Sequence, residues 1–464
     1  MTKAQVDNSA AHGRSRDSGQ QQMPSYLKAS IPNSNRAPWY KNIAPTYAGI
    51  FLSVVFYLQL AAGTLSQASI GVCALALIVA GLLCFALYYH TPATLGMQSG
   101  QPFYVVCTST FGARGGYLPG FLLGALNLGF FAVVTFAATN FITLGLHSRS
   151  NALFIAIAVL WGYTMAFIGI KGIHYVAKVA HFLNWVPLCM VLIVLFANRA
   201  GISAYRPPEN HPWTAFAGIL EIVVGYFAAA GAAGADFGLN ARDERDVNLG
   251  GLVGIVLAIV VVGSAALLSV AGAIGEGAAA SPGATSRFEF TTAIFNVGAL
   301  SGAVFFLFAA ALLVPTTFCM FISANSFSTL LPKIPRAAST MVGATIGVAL
   351  VITHVAGNLL GFFSIVGGSL SPVCGAIAAD FLLSRRMWLG PRRGINWAGY
   401  LAWGAGCFIG MLGTVPGIPQ AWKTADHPAA VYSFLVSFVL YCILALVGAR
   451  PALVSQELTS GRTE

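Results

Sequence analysis

Ala228-Ala229-Ala230-Gly231-Ala232-Ala233-Gly234, followed by Asp236, is a run of very small residues near the end of a long apolar stretch. Such a run either lets two membrane helices pack closely through small side chains or marks a helix interrupted at a binding site. A second point of the same kind occurs earlier, where Gln59 precedes Ala61-Ala62-Gly63-Thr64. The number of helices separating the two points decides between the readings.

Working outward, apolar stretches occupy residues 44–66, 69–90, 117–146, 152–170, 175–198, 213–238, 249–275, 297–330, 338–352, 355–383, 396–413 and 429–449. A bilayer-spanning helix needs about 20 apolar residues, whereas barrel strands are about ten residues long and alternating. These runs are long and continuous, so they read as twelve transmembrane helices, the ninth being short and its split from the tenth the least marked. The two small-residue points then fall in the first and sixth spans, five helices apart. Two five-helix inverted repeats, each opening with a broken helix, produce that offset. The predicted organisation is a polar disordered tail at 1–40, a first repeat at 41–200, a second inverted repeat at 213–385, two added helices at 394–450 and a tail at 451–464.

Composition agrees. The chain has 464 residues, 57% of them hydrophobic and 8% charged, with a mean hydropathy of +0.77. Soluble domains carry about 25% charged residues, so an ordinary soluble fold is excluded. The net charge of +10 comes without a dense basic patch, which argues against a nucleic-acid partner. With the N-terminus inside, basic residues such as Lys41, Arg114, Arg242, Arg336, Arg392 and Arg450 fall inside, and only Arg149, Arg199, Arg206, Arg287 and Lys423 outside. That asymmetry follows the positive-inside rule and predicts a multi-pass protein of the cell inner (plasma) membrane with both termini cytoplasmic. Trp161, Trp185, Trp213, Trp388 and Trp397 stand near span ends, as interfacial anchors do. The N-terminal segment lacks the apolar core and cleavage site of a secretory signal. Eight scattered cysteines show no metal-ligand spacing and read as small buried hydrophobes.

Several segments, in order, carry a family resemblance. They are Gly100-Gln101-Pro102-Phe103; Phe111-Gly112-Ala113-Arg114-Gly115-Gly116-Tyr117-Leu118-Pro119; Ala235-Asp236-Phe237; Thr316-Thr317; Ser371-Pro372-Val373-Cys374-Gly375 through Ala379-Asp380-Phe381 with Ser384-Arg385-Arg386; Ile395-Asn396-Trp397; and Pro416-Gly417-Ile418. Together they resemble the nucleobase:cation symporter-1 (purine-cytosine permease) family, nearest its bacterial cytosine-permease branch, over residues 44–449. The resemblance implies an all-α polytopic LeuT-type fold, a 5+5 inverted repeat plus two extra helices. It also implies secondary active import of a nucleobase or related planar heterocycle of the cytosine, purine or hydantoin class, by cation symport through alternating access.

Carried over residue by residue, the resemblance suggests a substrate site of Gln59, Asn127, Phe130, Phe227, Ala229 and Ala230. Asn127 and Phe130 stand where members have a Gln reading the base edge and a Trp stacking on its face. Positions three apart share a helix face, and Asn offers both donor and acceptor. Phe227 matches a second stacking aromatic. Ala229 replaces a Ser that contacts substrate, which puts cytosine itself in doubt, and Ala230 would offer backbone only where the helix unwinds. For sodium, the matching positions are the hydroxyls of Thr316 and Thr317 with carbonyls near Val55 and Leu58; hard cations take oxygen ligands. Phe318 replaces the family's Asn. The plainer alternatives are that Asn127 bonds between helices, that Phe130 packs, and that each Thr bonds its own backbone.

Glu221 is an acid amid Leu220, Ile222 and Val223. Intramembrane acids are costly and point to function, so it is the candidate for proton coupling; otherwise it lies in a wet vestibule or pairs with another helix. Asp236 and Asp380 are expected to cap or pair near Arg242 or Arg385, and the pairs Lys171/His174 and His174/Lys178 to be interfacial. No cofactor beyond a coupling ion, Na+ or alternatively H+, and no obligate protein partner is implied; the partners are the heterocyclic substrate and the bilayer. The spans hold no converging catalytic constellation, no channel-type filter and no phosphate-binding loop, so enzyme, channel and ATP-driven pump are disfavoured. The competing reading is a proton-coupled transporter of the same fold for another small solute such as an amino acid, amine or vitamin.

Overall fold

In lipid a backbone must satisfy its own hydrogen bonds, and among continuous apolar runs only helices do so within one segment. The structure, a computed structural model, describes residues 36–171, 185–282, 284, 286–331, 333–414 and 428–454. The first span is split into α1 (Ile43–Leu52) and α2 (Val54–Tyr57). Then follow α3 (Ile70–Ser99), α4 (Tyr117–Gly145), α5 (Asn151–Lys171) and α6 (Trp185–Ala197). The sixth span is split into α7 (Pro212–Ala232) and α8 (Gly234–Gly238), and α9 (Glu244–Gly275) is the seventh. The eighth comprises α10 (Ser301–Ala311) and α11 (Leu313–Leu330). The last four are α12 (Arg336–Ile352), α13 (Leu359–Leu383), α14 (Trp397–Met411) and α15 (Ala429–Leu446). These make twelve crossings among the described residues. A left-handed turn at His354 and a short helical turn separate α12 from α13, as the short ninth span requires.

The packing follows a pseudo-two-fold. The third span packs on the eighth and the fourth on the ninth, while α3 against α7 is mirrored by α1 against α9. The five-plus-five inverted repeat with two added helices is therefore the fold. Loop contacts sort the chain into two faces. Ala37 N–H donates to Asn240 O at 2.9 Å, Ala113 N–H to Arg392 O at 2.8 Å and Arg393 N–H to Ala452 O at 2.9 Å, gathering five segments at what we call the N-terminal face. At the opposite face Glu209 N–H donates to Ser66 O at 3.0 Å and Phe290 N–H to Leu58 O at 3.2 Å. Gly112 (φ 88°) is where α4's lead-in meets the chain before α14; a Cβ there would sit 2.4 Å from Gly394 O.

One buried ionic cluster ties the N-terminal face together. Asp380 Oδ1 receives Arg392 Nη2 at 3.1 Å, the Tyr441 hydroxyl at 2.8 Å and Arg450 Nη1 at 3.6 Å. Arg392 Nε also donates to Ser109 O at 2.8 Å. The expectation that Asp380 pairs near Arg385 is corrected: Arg385 and Arg386 adopt left-handed backbone (φ 54° and 60°), and the more distant Arg392 is the buried partner. Arg242 pairs with Asp246 at 2.6 Å, on its own helix-start turn, and not with Asp236. Cysteines 73, 84, 107 and 374 are buried, but Cys189 is exposed on α6, against the expectation of uniform burial. Most of the 1–40 tail, His174, Lys178 and Pro416-Gly417-Ile418 lie outside the described residues.

Asp380→Ala would leave Arg392 buried without its counter-charge, and removing one partner of such a pair costs about 3–5 kcal/mol. Thermal unfolding of the detergent-purified protein should show a large drop in midpoint. Arg450→Ala, which removes the more distant and partly exposed partner, should cost under about 1 kcal/mol.

Candidate functional site

The two broken spans meet at the centre of the bundle. The first span breaks at Ser53 (φ −62°, ψ 123°), where no helical turn continues and the carbonyls of Phe51 and Leu52 leave the helical ladder. The predicted break near Gly63 is thus ten residues too late; residues 58–67 form turns instead. The sixth span breaks at Ala233 (ψ 0°), within the predicted small-residue run. Gly231 lies inside α7, where a Cβ would approach Tyr88 Cβ to 2.6 Å, so this glycine serves close packing on α3.

Two tyrosines hold the breaks against each other. Tyr47 on α1 donates to Ala230 O on α7 at 2.9 Å, and Tyr226 on α7 donates to Ile50 O on α1 at 2.8 Å. Ile50 precedes Ser53 by three residues and Ala230 precedes Ala233 by three, so the two acceptors stand at the same offset from their breaks. Ala230 therefore offers no free carbonyl, and α7 is wound through Ala229 and Ala230, not opened there.

The predicted site residues separate into groups. Phe130 meets Phe362 edge-to-face at 4.8 Å and Tyr226 at 5.7 Å. Phe227 is fully buried and stacks on Phe51 at 5.6 Å, with Tyr47 at 5.7 Å. The two predicted faces of one sandwich are thus not opposed; the ring turned toward Phe130 is Tyr226, because adjacent residues on a helix point about 100° apart. Asn127 is buried, and its Nδ2 donates to Leu123 O at 2.8 Å. Gln59 is half-buried beyond α2, on the opposite-face side of the break.

The cation candidates are likewise dispersed. Thr316 donates to Leu312 O at 2.6 Å, and Thr317 to Leu313 O and Val314 O at 2.9 Å each. Val55 lies within α2, and Leu58 O already accepts the Phe290 N–H. The helix end next to Ser53 releases the carbonyls of Phe51 and Leu52, ahead of Val55 and Leu58. Glu221 Oε2 accepts the Ala430 N–H at 3.2 Å. It caps the first turn of α15, so of the two structural alternatives the pairing with another helix holds.

A cavity of about 320 Å³ opens at the N-terminal face between α4, α8 and α11. Its walls include Tyr104, Leu123, Asp236, Phe237, Phe318 and Asn325. On the opposite side of the breaks, Phe130, Tyr226, Phe362 and Phe363 form a continuous aromatic plug. Asp236 and the paired rings of Phe237 and Phe318 were not anticipated as cavity residues, although Ala235-Asp236-Phe237 was itself a visible motif.

Tyr226→Phe would leave the Ile50 carbonyl with only the longer Ser53 N–H bond at 3.3 Å, at a cost of about 0.5–1.5 kcal/mol. Tyr47→Phe should cost a similar amount through Ala230. Both should appear as lowered unfolding midpoints of the purified protein, with transport falling as the breaks lose their alignment.

The family model described as permease for cytosine/purines, uracil, thiamine, allantoin matches residues 30–390. The cytosine permease of Escherichia coli (strain K12) is 26% identical over 354 residues, which cover 73% of this chain and 78% of that protein. Two solved structures of Mhp1, a nucleobase-cation-symport-1 family transporter, share the fold. The closed conformation with bromovinylhydantoin bound has a TM-score of 0.63 at 17% identity, covering 92% of this chain and 95% of Mhp1. The inward-facing conformation has a TM-score of 0.64 at 15% identity, with 90% and 95% covered. A substrate-bound, outward-open Na+-coupled sialic acid symporter matches with a TM-score of 0.60 at 11% identity, covering 91% of this chain and 92% of that one. The chain belongs to the cytosine/purine permease family and is a membrane transporter, not an enzyme.

Proposed function

We propose that this protein imports a nucleobase or related planar heterocycle by cation symport through alternating access, and that the structure is its inward-open state. The observation that carries this reading is the asymmetry about the breaks: an aromatic-walled cavity at the N-terminal face, and the Phe130–Tyr226–Phe362–Phe363 plug on the other side. Pockets that are mostly apolar with a few placed polar groups suit small planar ligands. The excess of basic residues at the N-terminal face supports placing that face, with both termini, in the cytoplasm of a cell whose inner (plasma) membrane holds the protein. The family relatives support the substrate class: one is named for cytosine and another was solved with a hydantoin bound.

For coupling, sodium is the preferred ion. Its shell would draw on the Thr316 and Thr317 hydroxyls and on the Phe51 and Leu52 carbonyls freed at Ser53. In this state the hydroxyls bond their own helix, so the shell assembles when α11 and the first break approach each other. Outer substrate contacts from Phe130, Phe227, Asn127 and Gln59 belong to that assembled state as well.

Isotope uptake into vesicles, with and without an imposed sodium or proton gradient, tests the reading. Planar heterocycles should be accumulated with sodium, and amino acids should not compete. Replacing both Thr316 and Thr317 with Ala should raise the sodium needed for half-maximal uptake several-fold. Uptake driven by protons and indifferent to sodium would transfer the coupling role to Glu221. Competition by amino acids alone would remove the heterocycle.

A further inference from the structure

Asp236 is the feature of the inner cavity that the family-based site leaves unused. It lies on α8 immediately after the break, in the cavity wall. Its Oδ1 accepts the Phe103 N–H at 3.1 Å. Its Oδ2 takes no hydrogen bond, and no Lys or Arg pairs with it, among the described residues. Two other acids of the same face are treated differently: Asp246 and Asp380 are each paired with arginine. An ionised carboxylate is acceptor-only, and Asp236 is partly exposed where it lines the cavity. The cavity thus holds a fixed acceptor that a ligand with N–H groups can satisfy.

The adjoining surface is flat and aromatic. Phe237 and Phe318 face each other nearly parallel, 19° apart in plane with centroids separated by 6.5 Å, and Phe321 adds a third ring. We propose that this inner cavity is a release station for planar heterocycles in which Asp236 selects ligands carrying an exocyclic amino group. The inference rests on the transport reading above. An amino group directs its N–H donors outward, as cytosine and adenine do, and can meet Oδ2 directly. The imide N–H of uracil or a hydantoin is flanked by two carbonyl oxygens, which approach the carboxylate with like partial charge, and their other ring N–H is a single donor beside one carbonyl where an amino group offers two donors. Aromatic walls accept both kinds of ring, so Asp236 supplies the discrimination on the cytoplasmic side.

The test is a competition panel on purified protein, read as ligand-induced thermal stabilisation and repeated as competition uptake. The panel compares cytosine, adenine and guanine with uracil and a hydantoin. Wild type should favour the amino-bearing members. In Asp236→Asn the side-chain oxygen still accepts the Phe103 N–H, so folding is kept, but the fixed charge is gone. Amino-bearing ligands should lose about tenfold or more in apparent affinity, while uracil and the hydantoin hold or gain. Asp236→Glu, which keeps the charge, should keep the wild-type ranking even at reduced turnover. An unchanged ranking in Asp236→Asn, a uniform loss across the panel, or the same re-ranking in Asp236→Glu would overturn the assignment. So would loss of a sodium-dependent stabilisation with ligand ranking intact, which would make Asp236 a cation ligand. If wild type binds no planar heterocycle at all, the transport reading fails instead, before any variant is compared.

Discussion

The reciprocal bonds between Tyr47 and Ala230 and between Tyr226 and Ile50 are the contacts on which the rest of the bundle depends. A transporter of this architecture interrupts two helices at the middle of the membrane, and each interruption releases backbone groups where no lipid can hydrogen-bond them. Each tyrosine spans from one broken helix to the carbonyl three residues ahead of the other's break. The hydroxyl satisfies a polar group, and the ring fills the space beside it: Tyr47 packs on Tyr89, Phe227 and Phe237, and Tyr226 on Phe56, Phe130 and Phe363. The breaks are thereby held together while the carbonyls of Phe51 and Leu52 stay available.

Around that centre the cavity lies on one side of the breaks and the ring cluster on the other, and the same helices border both. α13 illustrates the division. Its opposite-face end carries Phe362 and Phe363 into the plug, and its N-terminal-face end carries Asp380 into the cluster with Arg392, Arg450 and Tyr441. Pro372 lies between them inside the helix, and its carbonyl is taken up by the Ser437 hydroxyl at 2.7 Å. Proline removes one ladder bond, so the two ends of α13 are joined at the weakest point of its backbone. The charged end is anchored by interactions that are costly to break, whereas the other end is held by ring contacts alone. Glu221 adds a link on the plug side, bonding α7 to the first turn of α15.

The candidate site was legible in part. Asn127, Phe130, Thr316 and Thr317 all lie on spans that border the breaks or the cavity. Their partners were not legible. Tyr226 and Phe227 differ by one residue and by about 100° of helix, and only packing shows which one meets Phe130. The first break escaped notice because Phe51-Leu52-Ser53-Val54 contains neither Gly nor Pro; it is stabilised by a hydroxyl from a residue 176 positions away. Asp236 was assigned to Arg242 by proximity in sequence, but Arg242 is taken by Asp246 one helical turn on, which leaves Asp236 facing the cavity.

What the sequence determined alone were the properties set by one-dimensional pattern. Length and continuity of the apolar runs dictate helices that cross a membrane, their number dictates which loops share a face, and the five-helix offset of two irregular spans dictates the repeat. Each follows from the bilayer acting on a segment by itself. What only the tertiary structure decided were the positions of the breaks, the pairing of each buried charge and the side on which the bundle is open. Those depend on groups brought together from distant parts of the chain. A carbonyl can leave its helix only where another helix supplies a donor, and a carboxylate faces a cavity only when no neighbouring arginine reaches it.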